Sequence, residues 1–174
     1  MKMKIEFIKA KKSHLELVKE WWNKPHIAEW LDMSETMWNN FADYVLKGKK
    51  DLYDYWIGLC DGIPYSLLLT SEIVETELFD DEEHLRAAIE GKTYSIDFMI
   101  GNEEFLGKGL GAATLSEFRK FIGSEVKTFL IDPQCANIKA THVYEKAGFK
   151  IVDTFTPKAG FFKNQKHYLM KYTR

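Results

Sequence analysis

Cysteine and long uncharged stretches are scarce in this chain of 174 residues, and each scarcity excludes something. The two cysteines, Cys60 and Cys135, lie in different segments with no CxxC spacing, which argues for reduced thiols and against a disulfide framework. The five histidines (His14, His26, His84, His142, His167) contain no HExxH or HxxxH pair, so no metal is expected. The longest stretch without a charged side chain, Gly62 to Ser71, is ten residues. A membrane-spanning helix requires about 20 apolar residues, so no membrane span is expected. The formal charge of −2, from 26 acidic and 24 basic residues, argues against a nucleic-acid or anionic-membrane partner. The opening MKMKIEFIKAKK alternates charged and apolar residues, where a secretory signal places an apolar block behind a basic cap. The expectation is a cytoplasmic protein with one domain over 1–174, burying roughly 70% of its unfolded-chain surface.

Periodicity orders the elements. Met3, Ile5 and Phe7 alternate with Lys4 and Glu6 as in a half-buried strand. Ser13 and Glu16 have capping-box spacing ahead of Leu15, Val18 and Trp22, a helical stripe that stops before Pro25. A second helix is read from about Ser34 to Gly48. Strand-like runs Tyr53 to Cys60 and Ile63 to Thr70 are joined by Asp61-Gly62, a tight-hairpin dipeptide. Ser71 to Gly91 holds eight acidic residues against one basic, Arg86, and reads either as a solvated loop with a short helix or as a negative rim for a cation. A strand over Tyr94 to Ile100, a helix over Gly109 to Ile122 and a buried strand over Val126 to Ile131 follow. A helix capped by Asn137 runs to Ala147 and closes at Gly148-Phe149, and the last strands are Lys150 to Phe155 and Lys166 to Tyr172.

The segment that speaks of chemistry is Leu106-Gly107-Lys108-Gly109-Leu110-Gly111-Ala112, between a strand and a helix. Glycines let backbone approach a ligand, and amides at a helix N-terminus bind phosphate oxygens, so a polyphosphate cofactor is implied. No window supplies the Walker pattern GxxxxGK[ST]. The dinucleotide fingerprint matches at Gly107, Gly109 and Ala112, with Asp132 one strand later. That turn normally opens its fold, whereas 106 residues precede Gly107 here.

These residues resemble the acetyl-CoA loop of the GCN5-related N-acetyltransferase (GNAT) superfamily, whose Gly-x-Gly is met by Gly109 and Gly111; the polar residue expected at the loop's start is replaced by Leu106. Asp132-Pro133 through Asn137, Ala140 and Tyr144-Glu145-Lys146-Ala147-Gly148-Phe149 looks like the superfamily's next strand-helix-strand unit. Trp22 to Trp30, Ser95-Ile96-Asp97 and the Asp132 to Phe149 unit look like the aminoglycoside 6'-N-acetyltransferases, and siderophore-pathway N-acyltransferases share a similar Pro-His-Ile element.

The resemblance implies an α/β (α+β) fold: a mixed, mostly antiparallel twisted sheet of about seven strands flanked by about four helices. That sheet splays between its fourth and fifth strands, Thr93 to Ile100 and Val126 to Ile131. Acetyl-CoA would enter the splay, its pantetheine pairing with backbone of Phe98, Met99 and Ile100, its pyrophosphate on Leu106 to Ala112, with Asn137 also on the cofactor side. Direct attack of an amine on the thioester needs a base and an acid, which by motif position are Asp97 and Tyr144. On residue type alone, Asp97 fits equally a solvated strand face and Tyr144 a core aromatic with its hydroxyl tied off. The acceptor-side candidates are His26, Trp30, Asp97 and Asp132, although His26 after Pro25 also fits a structural hydrogen-bonding role. The expected partner is a small cationic amine, with no nucleic acid and with monomer and homodimer both open. The alternatives are an N-acyltransferase for another amine or hydroxylamine and a non-catalytic CoA-binding sensor.

Overall fold

A computed structural model describes residues 3–174; Met1 and Lys2, the first residues of the stretch read as lacking a secretory signal, lie outside the described residues. The sheet has seven strands in the order β1-β2-β3-β4-β5-β7-β6. These are β1 (Ile5–Lys9), β2 (Asp54–Cys60), β3 (Ile63–Ile73), β4 (Thr93–Ile100), β5 (Thr128–Ile131), β6 (Lys150–Phe155) and β7 (His167–Thr173). The described helices number six where about four were expected: α1 (Leu15–Trp22), α2 (Pro25–Ala28), α3 (Glu35–Lys47), α4 (Glu83–Ala88), α5 (Leu110–Phe121) and α6 (Ile138–Lys146). The additions are single turns. Pro25 ends α1 as read, yet its fixed φ suits a first helical position, so it also starts α2. The chain forms two compact units, Met1–Thr70 with Asp97–Leu110 and Ser71–Ile96 with Gly111–Arg174.

In the first unit β1 pairs antiparallel with β2, and β2 with β3 through the Asp61-Gly62 turn, whose φ angles of 49° and 81° are those of a tight hairpin. The buried core joins Val18, Trp21 and Trp22 of α1, Ile27 of α2 and Phe41 of α3 to Tyr55, Ile57, Leu67 and Leu69 of the strands, with Met99. Each large side chain buried this way contributes about 1.5–3 kcal/mol. The helix starts differ from expectation at α1. The Ala10 N–H is held by the Tyr55 carbonyl (2.9 Å), so the chain turns at once into a 3-10 turn over Lys12–His14. Ser13 falls inside that turn, and the Lys11 N–H is satisfied by Nδ1 of His14 (3.1 Å). At α3 the expectation holds, the Met37 N–H donating to Oγ of Ser34 at 3.4 Å.

In the second unit β5 pairs parallel with β4 and antiparallel with β7, which pairs in turn with β6. All four residues of β5, Thr128 included, are buried, as expected of a strand read as buried. The parallel ladder covers Thr93↔Thr128, Tyr94↔Phe129 and Ser95↔Leu130, while β4 runs on to Ile100. Leu115 and Phe118 of α5 and Tyr144 of α6 are buried, as are Phe129, Phe149 and Met170. Asn137 caps α6, its Oδ1 accepting the Ala140 N–H at 3.1 Å, and the helix closes with the Phe149 N–H on the Tyr144 carbonyl at 3.0 Å.

Candidate active site

Asp97 occupies the middle of β4, half-buried between the fully buried Ile96 and the core residue Met99. Burial disfavours its charged form and lifts its pKa from the ordinary 3.8 to about 6. A carboxyl with a pKa in that range can exchange a proton near neutral pH. Tyr55 on β2 belongs to the same unit and was not among the candidates. Its hydroxyl is buried without a hydrogen-bond partner among the described residues, and its pKa is raised first by burial and then by the charges of Asp51, Asp97 and Tyr44. The signal in the sequence was an aromatic hydroxyl in phase with Ile57 on a strand.

The end of β4 is tied down on the first unit. The His26 ring nitrogen Nε2 lies 3.0 Å from the Ile100 carbonyl and Nδ1 lies 3.9 Å from Glu103, while Lys24 bridges Glu103 (3.1 Å) and Glu20 (3.5 Å). A carbonyl only accepts, so Nε2 carries the proton and donates. This is the structural, hydrogen-bonding role that His26 was read to fit. The N–H groups of Gly101 and Asn102 both donate to the Tyr65 carbonyl, at 2.8 and 3.1 Å. Trp30 is half-buried and stands outside the core that takes in Trp21, Trp22 and Trp38. Phe98 and Ile100 are half-buried, and Met99 points into the core, so any contribution of Met99 to a ligand is made by main chain. A concavity of about 340 Å³ lined by Glu20, Trp21, Lys24 and Glu103 coincides with none of the candidate site residues.

The glycine loop is anchored at its base and open above its backbone. Asn102 Oδ1 accepts the Glu104 N–H (3.1 Å), and Phe105 packs on Tyr65 with ring centroids 5.2 Å apart, anchoring the base of the loop. Residues 106–109 are exposed, with φ of +70° at Gly107 and +73° at Gly109, and α5 begins at Leu110. A Cβ placed on either glycine would meet no atom within 4 Å, so the space above the backbone is open to a ligand. Exposed main chain running into the positive end of a 12-residue helix suits the anionic pyrophosphate of a coenzyme. Lys108 Nζ sits 5.5 Å from the Phe105 ring. Gly111 is buried and Ala112 half-buried in the first turn of α5.

The remaining candidates belong to the second unit. Tyr144 is 8% exposed, with its ring 6.4 Å from that of Phe149. Asn137 commits Oδ1 to its helix cap. Asp132 is exposed at the end of β5, and its carbonyl accepts a hydrogen bond from Nδ1 of His167 at 2.7 Å. His167 was not singled out either, although its place in phase with Leu169 on a strand marks it as inward-facing. In the acidic stretch, Glu90 pairs with Lys171 (3.0 Å) and Glu72 approaches Lys92 (3.9 Å). Glu75, Glu77, Asp80, Asp81 and Glu83 make no ion pair among the described residues. Among the described residues no group of three or more His, Cys, Asp or Glu is placed to hold a metal, and no helix is long and apolar enough to cross a membrane.

Comparison with known proteins identifies the family. The model of the acetyltransferase (GNAT) domain family matches residues 10–156. An aminoglycoside N(6')-acetyltransferase type 1 from Klebsiella pneumoniae is 28% identical over 153 residues, 84% of this chain and 74% of that protein. The structure of an aminoglycoside N(6')-acetyltransferase from Legionella pneumophila superimposes with a TM-score of 0.81 at 32% identity, covering 99% of this chain and 94% of that one. That of AAC(6')-Ib in complex with ribostamycin and coenzyme A superimposes with a TM-score of 0.75 at 26% identity, covering 98% and 93%. With a family match across most of its length and a fold superimposing on these acetyltransferases, the chain belongs to the GNAT family of acetyltransferases.

Proposed function

We propose that this acetyltransferase moves the acetyl group of acetyl-CoA directly to the primary 6'-amine of an aminoglycoside. The observation that carries the reading is Asp97, a half-buried carboxylate on β4 whose pKa of about 6 leaves it ionised yet basic near neutral pH. The similarity to aminoglycoside 6'-acetyltransferases, one of them holding ribostamycin beside coenzyme A, supports the choice of acceptor. In this reading the exposed amides around Gly107 and Gly109, with Lys108, hold the pyrophosphate, and the backbone of Phe98 to Ile100 pairs with the pantetheine. Asn137 adds its NH₂ on the cofactor side.

The amine nitrogen attacks the thioester carbonyl carbon, and Asp97 takes the proton that the nitrogen sheds. The carbon–sulfur bond then breaks and the Tyr144 hydroxyl protonates the departing thiolate, giving amide and free CoA thiol. Burial beside Phe149 holds the Tyr144 ring in one orientation for that transfer. Cys60 is buried with its thiol pKa raised, which suits direct transfer and not a cysteine-acyl intermediate. Trp30 offers a face, and Asp132 and the unpaired carboxylates of the acidic stretch offer charge, to a polycationic acceptor.

The test is a thiol-release assay with acetyl-CoA across kanamycin, ribostamycin, polyamines and hydroxylysine. Turnover of the aminoglycosides well above the other amines supports the proposal. Turnover of polyamines or hydroxylysine alone overturns the acceptor, and CoA binding without release for any amine overturns catalysis.

A further inference from the structure

We infer that His167 is a positioning residue for acceptor recognition, its Nδ1–H locking the Asp132 carbonyl and so aiming the Asp132 carboxylate at a cationic acceptor. The inference rests on the aminoglycoside reading, which places Asp132 on the acceptor side.

Asp132 follows directly on the last residue of β5 and precedes Pro133, which has no N–H with which to fix the turn. The segment is instead stitched to the start of β7. The Tyr168 N–H donates to the Pro133 carbonyl (3.0 Å), the Cys135 N–H to the Lys166 carbonyl (2.8 Å), and Gln134 and His167 form an isolated antiparallel bridge. The Asp132 carbonyl is served by a side chain, that of His167 at 2.7 Å. A carbonyl only accepts, so Nδ1 carries the proton. The Asp132 Oδ2 atom lies 3.6 Å from the same nitrogen, beyond hydrogen-bond length, so the donor is spent on the backbone and not on the carboxylate.

The imidazole is 3% exposed and held between Phe155 (5.6 Å) and Phe162 (5.1 Å), which makes the donor rigid. Its Nε2 is buried with no hydrogen-bond partner among the described residues. Burial also keeps the ring neutral, because charging it would place a second N–H where nothing accepts it. For filling an aromatic pocket, phenylalanine would avoid that orphaned nitrogen. What histidine adds at this position is the bond to Asp132.

The test is steady-state kinetics with kanamycin and acetyl-CoA on His167→Phe, His167→Asn, His167→Gln, Asp132→Asn and the His167→Phe/Asp132→Asn pair, with a thermal melt of each. Removing the donor in His167→Phe is expected to raise the kanamycin KM about tenfold while leaving the acetyl-CoA KM unchanged. His167→Asn, whose amide nitrogen falls near Nδ1, is expected to recover most of the loss, and His167→Gln, whose nitrogen falls near Nε2, is not. In the Asp132→Asn background His167→Phe is expected to add less than about twofold, since the two act through one carboxylate. An unchanged kanamycin KM in His167→Phe and His167→Gln overturns the inference. So does an equal rise in His167→Asn and His167→Gln, or a full rise in the Asp132→Asn background, each of which marks a merely structural histidine. If His167→Phe does not fold, the comparison of Asn with Gln decides alone. Absence of kanamycin turnover in the unsubstituted protein overturns the aminoglycoside reading, and this inference with it, before any variant is read.

Discussion

Replacing Asp97 by asparagine removes a charge from a half-buried position on β4 while keeping the shape and hydrogen-bonding capacity of the side chain, so its effects on activity and on stability run in opposite directions. On the proposed base role of Asp97, a general base being worth about 10²- to 10⁴-fold in rate, turnover of kanamycin at saturation is expected to fall by that factor with little change in the acetyl-CoA KM. The acidic limb of the unsubstituted enzyme's pH profile, set near pH 6 by this carboxyl, is expected to vanish. Stability follows from the same pKa. A carboxyl whose pKa rises from 3.8 in the unfolded chain to about 6 in the fold binds its proton more tightly when folded, so the folded protein gains from it below about pH 4 and loses that gain as pH rises to about 6. The loss is up to about 3 kcal/mol at neutral pH. Asparagine has no such loss. Denaturant unfolding of both proteins should therefore show the variant equal to the parent below pH 4 and more stable above pH 6, by as much as about 3 kcal/mol. Near-normal turnover with the same acidic limb would falsify the base assignment. A variant no more stable at pH 7.5 than at pH 4, relative to its parent, would show that burial does not perturb this carboxyl.

Other consequences are as direct. Gly109→Val puts a β-branched side chain at φ +73° in the open space above the loop, and the acetyl-CoA KM is expected to rise at least about tenfold with the overall fold kept, read by kinetics and circular dichroism. Tyr144→Phe keeps the ring packing on Phe149 and removes only the hydroxyl, so turnover is expected to drop about 10²-fold with both KM values within a few-fold of the parent; an unchanged kcat would make Tyr144 purely structural. Gly101→Ala drives a methyl into the ring of the buried Trp21, and denaturant unfolding should report a loss of about 1–3 kcal/mol.

Local chemistry determined much of this protein. The Asp61-Gly62 hairpin, the Ser34 cap of α3, the Asn137 cap and glycine ending of α6, and the open Gly107 to Gly109 loop before α5 each stand where short-range rules put them, because turns and caps are settled by a few consecutive residues. Where long-range bonds compete, the same rules misplaced a feature. Ser13 lost its cap because Ala10 is held by Tyr55, 45 residues away in the chain, and Pro25 both stopped one helix and began another. Only the tertiary structure decided that β7 inserts between β5 and β6, since strand order depends on partners distant in sequence. It also decided which polar groups are buried. Asp97 reads on its strand as an ordinary acidic residue, and its basicity arises from surroundings that no neighbouring residue encodes. His167 and Tyr55 carry no motif at all, and their buried polar atoms (Nε2 and the hydroxyl), without a hydrogen-bond partner among the described residues, exist only because distant segments exclude water from them.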